Sequence, residues 1–307
     1  MLRIARLRIT SFSIVKEGMK RIASTGLVSG AIQGSLGVGG GILMISGLTR
    51  FAGLKHAQAV GTSLPTQIVS NFTAGAVFCS QGLVDPLAVL CIGGTSIVGS
   101  RFGARIGHNL SESSAKGAFG AILALVAPFV AFSSYQKQKT KDEENGFDNN
   151  NDDKKTRSKN VFDMSHLLQD FRDRDRSEIL RMTCLGFGVG VLSAAMGIGA
   201  TPVMISYLSL SGDSKGGSND HYKTILGTAI CSVCLTTSAG FAAYSTMGSS
   251  VQWKMLPILL VGSALGGVVG SNIALDVPNT ALQCVFAIFC GAYGARVVQR
   301  TWLRKVL

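Results

Sequence analysis

The chain has 307 residues, of which 47% are hydrophobic and 15% are charged, and its net charge is +12. The charged residues leave long gaps, whereas a soluble domain of this size needs charged helix faces about every second turn, so the composition argues against a soluble globular protein. The basic excess lies at the two chain ends and not in a patch interleaved with aromatic residues, which argues against nucleic-acid binding.

Eight segments contain no Asp, Glu, Lys or Arg. A bilayer span takes about 20 mostly apolar residues, and most of these segments reach that length. They predict an all-α polytopic membrane protein with about eight membrane segments, and the lipid bilayer is therefore an expected partner. The segments are 22–49, 56–84, 86–100, 117–136, 182–212, 224–253, 255–275 and 277–295.

Residues 1–21 form a basic N-terminal segment with a single acidic residue, Glu17. An Arg-rich, hydroxylated stretch is typical of a mitochondrial or plastid transit segment. It fits equally well a basic flank that orients the first span by the positive-inside rule. The first interpretation places the protein in a mitochondrial or plastid inner membrane, and the second in the plasma membrane.

The first apolar segment, 22–49, carries the main glycine motif. Three glycines at spacing four, from Gly26 to Gly34, predict a helix face that another backbone can approach closely. The run from Gly37 to Gly41 holds four glycines in five residues, which predicts a break in the helix. A break between apolar flanks is expected where backbone lines a polar cavity in a membrane. A nucleotide-binding turn is disfavoured, because the preceding run reads as a helix and no acidic residue follows before Asp85.

The rest of the first half, which spans residues 22–134, adds a polar span at 57–80, a span with a close-packing glycine face at 86–107 and a final span at 115–134. Pro65 lies early in the span 57–80 and predicts a bend, because proline removes a backbone donor. Asp85 directly precedes Pro86, a pattern typical of a helix N-cap. The alternative for Asp85 is a role in carrying a coupling proton.

Residues 135–181 differ from the rest of the chain. They contain eleven basic and eleven acidic residues, and their Asn/Asp/Lys run lacks apolar periodicity. This predicts a polar, largely disordered linker, followed by a second membrane half at 182–300 and a basic tail at 301–307. The linker leaves a second function open, in which the protein is a non-transporting membrane scaffold or sensor.

The second half repeats the first. Residues 30–46 align with 190–206 at an offset of 160, so the two glycine breaks coincide. Residues 61–63 align with 227–229 at an offset of 166, and 96–103 with 263–270 at 167. We interpret the pattern as two homologous four-segment repeats, each with a Gly-rich broken helix, which is typical of secondary transporters. The repeats are parallel with four crossings each, or inverted if each broken segment is re-entrant.

Seven cysteines lie in or beside the apolar segments. Their odd number and their location argue against a disulfide framework. Cys231 and Cys234 have CxxC spacing, but they have no basic neighbour, so we interpret them as packing residues.

The repeated motifs also carry a family resemblance. A GxxxGxxxG face, a GxGGG run, an apolar stretch and a Gly-Thr-Ser about twenty residues on, restated after a central linker, resemble the sulfite exporter TauE/SafE family of membrane transporters. The resemblance covers residues 22–134 and 182–300. It implies an integral membrane protein that moves small anions, typically sulfite, sulfonates or related organosulfur compounds. The second motif departs from the family pattern at Ala200 and Thr201, where glycines are common.

We expect a small anionic substrate to bind between the two breaks, because helix N-termini and unpaired backbone amides attract anions. Gln33 and Ser35 lie in the wider shell, and a coupling proton or sodium ion is a further expected partner. The alternative is that the glycines serve helix packing and the hydroxyls bond their own backbone. The candidate binding residues are Gly37, Gly39, Gly40, Gly41, Thr62, Ser63, Gln67, Asn71, Gly197, Gly199, Thr201 and Thr228.

An enzyme is disfavoured by the same segments. No His, Glu or Lys lies deep in any predicted span, so the sequence offers no nucleophile–base pair and no metal-ligand set there. We therefore expect no catalytic residues, no metal and no cofactor.

Overall fold

The computed structural model describes residues 22–109, 176–197, 199–211, 221–246 and 251–299, together with four helical positions at 117, 120, 121 and 128. The basic segment 1–21, nearly all of the predicted span 115–134, the linker up to residue 175 and the tail 301–307 lie outside the described residues. The predictions for those segments therefore stay predictions.

The five described ranges form nine helices and contain no strand, which confirms the all-α prediction. The helices are α1 (residues 22–36), α2 (Gly41–Phe51), α3 (His56–Ser80), α4 (Pro86–Asn109), α5 (Arg176–Met196), α6 (Thr201–Ser211), α7 (His221–Thr246), α8 (Leu256–Asp276) and α9 (Asn279–Val298).

The surface of the packed helices is largely apolar, whereas many polar side chains are buried between the helices. Phe72, Val261 and Ile288 are largely exposed, whereas amide and hydroxyl side chains along α1, α3 and α7 are buried. Four helices within the described ranges are long and apolar enough to cross a membrane, namely α4, α5, α7 and α8. Large exposed apolar surfaces mark contact with lipid or protein, and together these features fit a polytopic membrane protein.

The segments 22–49 and 182–212, in each of which the sequence predicts a glycine break, are each two helices, α1 with α2 and α5 with α6. Helix α3, in contrast, runs without interruption through Pro65. Asp85 acts as the predicted N-cap of α4, because its Oδ1 accepts hydrogen bonds from the backbone N–H groups of Leu87 (3.1 Å) and Ala88 (3.2 Å).

Helix α1 packs on α8 through glycine-lined faces. A Cβ added to Gly30 would lie 2.4 Å from the carbonyl oxygen of Ser263. A Cβ added to Gly266 would lie 2.2 Å from the carbonyl oxygen of Leu27. Any side chain at these positions would clash with backbone, so the close approach of α1 and α8 depends on glycine.

Helices α4 and α5 form a second interface with the same contacts. A Cβ added to Gly190 would lie 2.3 Å from the carbonyl oxygen of Ser96, and one on Gly99 would lie 2.2 Å from that of Phe187. These residues are offset by 160 or 167 positions from those of the α1–α8 interface. Each interface joins one helix from the first half to one helix from the second half.

Candidate functional site

Two glycine turns interrupt the chain at corresponding positions. The first turn comprises residues 37–40 between α1 and α2, and the second comprises Gly197, Gly199 and Ala200 between α5 and α6. Both turns use the left-handed backbone region that favours glycine. The φ angles are +66° at Gly37, +82° at Gly39, +66° at Gly197 and +72° at Gly199.

The two turns meet inside the molecule. A Cβ on Gly41, the first residue of α2, would lie 2.9 Å from the carbonyl oxygen of Gly197. A Cβ on Gly37 would lie 2.6 Å from Cδ1 of Leu226 in α7, and one on Gly197 would lie 2.4 Å from Cγ1 of Val60 in α3. Each turn therefore packs against a long helix of the opposite half.

A chain of hydrogen bonds fixes the first turn. The Ser29 hydroxyl donates to the carbonyl oxygen of Gly40 (2.6 Å), and the Gly40 N–H donates to Oε1 of Gln33 (2.5 Å). Nε2 of Gln33 in turn donates to Oδ1 of Asn71 in α3. Among the described residues, Nδ2 of Asn71 is buried and has no hydrogen-bond partner. This series of hydrogen bonds therefore starts at the backbone of the turn and ends at the unpartnered Nδ2 of Asn71.

The second turn is held by Gln67 of α3. Its Nε2 donates to the carbonyl oxygen of Gly197 (3.2 Å) and lies 3.4 Å from the Ser63 hydroxyl. Its Oε1 and Oγ1 of Thr201 are both buried and without a partner in the described part of the chain. These two oxygens lie 3.5 and 3.6 Å from the position that a Cβ on Gly199 would occupy. The absent side chain thus leaves a small hollow next to two unsatisfied oxygens.

Gln67 and Asn71 are four residues apart on α3 and are neighbours on one helix face. One of them binds the second turn, and the other is linked to the first turn through Gln33. We call Gln33, Gln67, Asn71 and Thr201 the amide cluster; each of these residues is at most 2% exposed. The cluster carries no charge, and it lies beside the first residues of α2 and α6, the end at which a helix carries partial positive charge.

The amide cluster is not repeated in the second half. At the alignment offsets of 160 and 166, the counterparts of Gln33, Gln67 and Asn71 are Ser193, Val233 and Thr237. Gln33 therefore does not stand out in the repeated motifs, because its aligned residue is Ser193. The signal that was available is an amide side chain one helical turn before a glycine break.

Two predicted site residues instead form hydrogen bonds that connect the first half of the chain to the second half. Oγ1 of Thr62 accepts a hydrogen bond from the backbone N–H of Gln252 (3.1 Å), and Oγ1 of Thr228 accepts one from that of Asp85 (2.9 Å). Each bond connects a central helix to the loop that precedes α8 or α4. The Ser63 hydroxyl donates within its own helix, to the carbonyl oxygen of Val60 (2.9 Å).

A cavity of about 400 Å³ borders Asn71 between α3, α4 and α7. Its walls are apolar except for Asn71 and the thiols of Cys79, Cys231 and Cys234. Cys231 does not pair with Cys234 of the CxxC spacing; its sulfur lies 3.8 Å from that of Cys79. Apolar walls do not compensate the desolvation of an anion, so the amide cluster is the better candidate for an anion site.

Comparison with known proteins adds independent information. A family model described as "Sulfite exporter TauE/SafE" matches residues 22–297, a range that includes both turns and the amide cluster. The "Probable membrane transporter protein YdhB" of Bacillus subtilis (strain 168) is 25% identical over 261 residues, which cover 83% of this chain and 89% of that protein. No solved structure matches the chain.

Proposed function

The chain belongs to the sulfite exporter TauE/SafE family, and from that premise we propose that it is a secondary transporter for a small anion, namely sulfite, a sulfonate or a related organosulfur compound. The family and the similar bacterial protein support an integral, multi-pass membrane protein with a role in membrane transport. The four apolar helices agree with this class. The substrate and its path are the proposed part.

The observation that carries the proposal is the convergence of two helix N-termini on one buried, uncharged cluster. The first turn of an α-helix carries backbone N–H groups that have no acceptor within the helix, and such groups bind anions without a cationic side chain. In α6 the second residue, Pro202, supplies no N–H, so the contribution of α6 comes from its other first-turn amides and its dipole. The amide cluster adds side-chain dipoles and contains no carboxylate that would repel an anion. A site that binds through dipoles alone can also release its substrate, which transport requires.

The two matching helix pairs suggest how the site opens. We propose that the halves are homologous repeats, each with one broken helix, and that α1–α8 and α4–α5 move as two bodies around the turns. The packing of Gly41 on Gly197 links the two turns, and the hydrogen bond from Gln67 to Gly197 joins the second turn to α3. Breaking these contacts would expose the cluster to one side of the membrane. A coupling proton or sodium ion would supply the driving force.

Not every predicted contact belongs to this site. The proposal keeps the glycines of both turns together with Gln67, Asn71 and Thr201. Thr62 and Thr228 accept hydrogen bonds from backbone of the opposite half, so we assign them a structural role.

Flux measurements in proteoliposomes test the proposal. Radiolabelled sulfite is the main substrate, with sulfate and a small sulfonate for comparison. The Gly40→Leu variant should lose flux, because a Cβ there would lie 2.5 Å from Oγ of Ser29 and 2.7 Å from Oε1 of Gln33. Gly94→Leu is the matched control, since a Cβ at Gly94 meets nothing within 4 Å. Saturable flux that survives in the control alone supports the site; folded protein that moves no anion overturns the assignment.

A further inference from the structure

The unused hydrogen-bonding groups of the amide cluster narrow the class of anion, and this inference rests on the proposed function. The cluster presents one unpartnered donor, Nδ2 of Asn71, one unpartnered acceptor, Oε1 of Gln67, and the hydroxyl of Thr201, which can do either. We propose that the site takes a monoanion that carries a hydrogen-bond donor of its own, such as hydrogen sulfite or a hydroxylated sulfonate, and discriminates against dianions.

The orientation of both amides follows from their partners. Nε2 of Gln67 faces the carbonyl oxygen of Gly197, and turning the amide over would bring two oxygens together. Asn71 is fixed in the same way, because its Oδ1 accepts from Gln33, and the Gly40 N–H holds the oxygen of Gln33. The network itself therefore assigns the acceptor to Gln67 and the donor to Asn71.

The acceptor lies where an anion would bind. Oε1 of Gln67 and Oγ1 of Thr201 border the hollow at Gly199, and Thr201 is the first residue of α6. The partial positive charge at the N-terminus of α6 attracts an anion to this point, although its second residue, Pro202, supplies no N–H. A carbonyl oxygen repels an anionic oxygen that faces it, and the repulsion is strong where water is excluded. A hydrogen on the substrate turns the same contact into a hydrogen bond.

A matched pair of probes separates these cases. Isethionate (2-hydroxyethanesulfonate) and ethanesulfonate are both monoanions, and they differ by one hydroxyl group. In proteoliposomes of the full-length protein we expect kcat/KM for isethionate to exceed that for ethanesulfonate by about tenfold, the value of one hydrogen bond in a buried site. With equal pH on both sides of the membrane, sulfite flux should fall as rising pH converts hydrogen sulfite to the dianion, and sulfate should move slowly.

Two variants assign the preference to the named groups. Gln67→Met keeps the volume of the side chain and removes the acceptor. The ratio of kcat/KM for isethionate to kcat/KM for ethanesulfonate should therefore fall from about 10 to about 1–3. Because this variant also loses the bond to Gly197, Thr201→Val is a second test that removes only an unpartnered hydroxyl, and it should reduce the preference too. Thr183→Val on α5 is the control, since that hydroxyl donates to the Ile179 carbonyl of its own helix (2.8 Å).

The outcomes distinguish this inference from the proposed function. Equal transport of the two sulfonates, or an undiminished preference in both variants, would overturn the inference and leave anion transport standing. Absence of flux for every anion, with folded protein confirmed, would overturn the proposed function and the inference with it.

Discussion

Gln33 shows how much one uncharged residue can organise in a buried site. It accepts the Gly40 N–H, donates to Asn71 and is 1% exposed. Gln33→Leu keeps the side-chain volume and leaves two buried polar groups unpaired, so we expect the free energy of unfolding to fall by about 2–4 kcal/mol. Thermal or denaturant unfolding in detergent measures the loss.

Asn272→Leu is the control for this substitution. Asn272 is exposed on α8, and its amide donates to the Val268 carbonyl of its own helix (2.8 Å). Surface substitutions away from special features usually change stability by about 0.5 kcal/mol or less. Equal stability of Gln33→Leu and Asn272→Leu would mean that the hydrogen bonds of Gln33 contribute nothing.

The sequence could place the turn residues but not the partners of the side chains around them. The glycine runs predicted breaks because glycine disfavours a helix interior, and positive φ at Gly37 and Gly197 accounts for the residue type there. The partners of Gln33 and Gln67 follow instead from how the chain folds back at the turns. The bond from Gln67 to Gly197 spans 130 positions, a distance at which sequence periodicity carries no information.

Substitutions at Thr62 and Thr228 test whether these hydroxyls stabilise the fold or bind the substrate. Thr62→Val and Thr228→Val each leave one backbone N–H of the opposite half without its acceptor. We expect each variant to lose about 1–2 kcal/mol of stability, and the double variant to lose about the sum, with the ratio of fluxes among anions unchanged. Unfolding midpoints and competition between anions measure the two effects. A stable Thr62→Val protein with an altered anion preference would restore the binding role that the sequence predicts.

At the scale of elements, the glycine faces decide how closely helices pack. A Cβ on Gly103 of α4 would lie 2.2 Å from the carbonyl oxygen of Val191 in α5. Gly103→Val should push the two helices apart and destabilise the protein by about 1–3 kcal/mol. Gly94 lies on the same helix, and a Cβ there meets nothing within 4 Å. Gly94→Val therefore reproduces the change in helix propensity without the clash between α4 and α5. Similar melting temperatures for the two variants would contradict glycine-dependent packing.

The spacing of the glycines predicts which helix faces pack closely but not which helices they pack against. Glycines at every fourth position predict that the backbone of another helix approaches this face closely, but they do not identify that helix. The partner of α1 is α8, more than 200 positions away in the chain, and the partner of α5 is α4. Hydropathy likewise located the apolar segments, but the division of 22–49 into α1 and α2 depends on the turn between them.

At the scale of the whole molecule, the described helices form two interlocked halves. Every glycine-lined interface described above joins one half to the other. The hydroxyls of Thr62 and Thr228 and the sulfur contact between Cys79 and Cys231 also cross between the halves. The offset of about 160 residues predicts two related units, whereas the interlocking is a property of the packed structure.

Interlocking predicts that neither half is stable without the other. Expressed alone, residues 1–150 would leave the glycine face of α1 without α8, and residues 151–307 would leave α5 without α4. Co-expressed, the two fragments should assemble, because the break falls in the predicted linker and leaves every described interface intact. A tag on one fragment should recover the other from detergent extracts, and the pair should move anions in proteoliposomes.

Gly99→Leu in the first fragment should prevent recovery of the second, because a Cβ there would lie 2.2 Å from the Phe187 carbonyl oxygen, whereas Gly94→Leu should permit it. Because the break interrupts the linker, flux through the assembled pair would also argue against a scaffold that acts through an intact linker. Two fragments that each purify as stable, monodisperse proteins would instead show that each half completes its own core, and the contacts between α1 and α8 would then contribute little to folding.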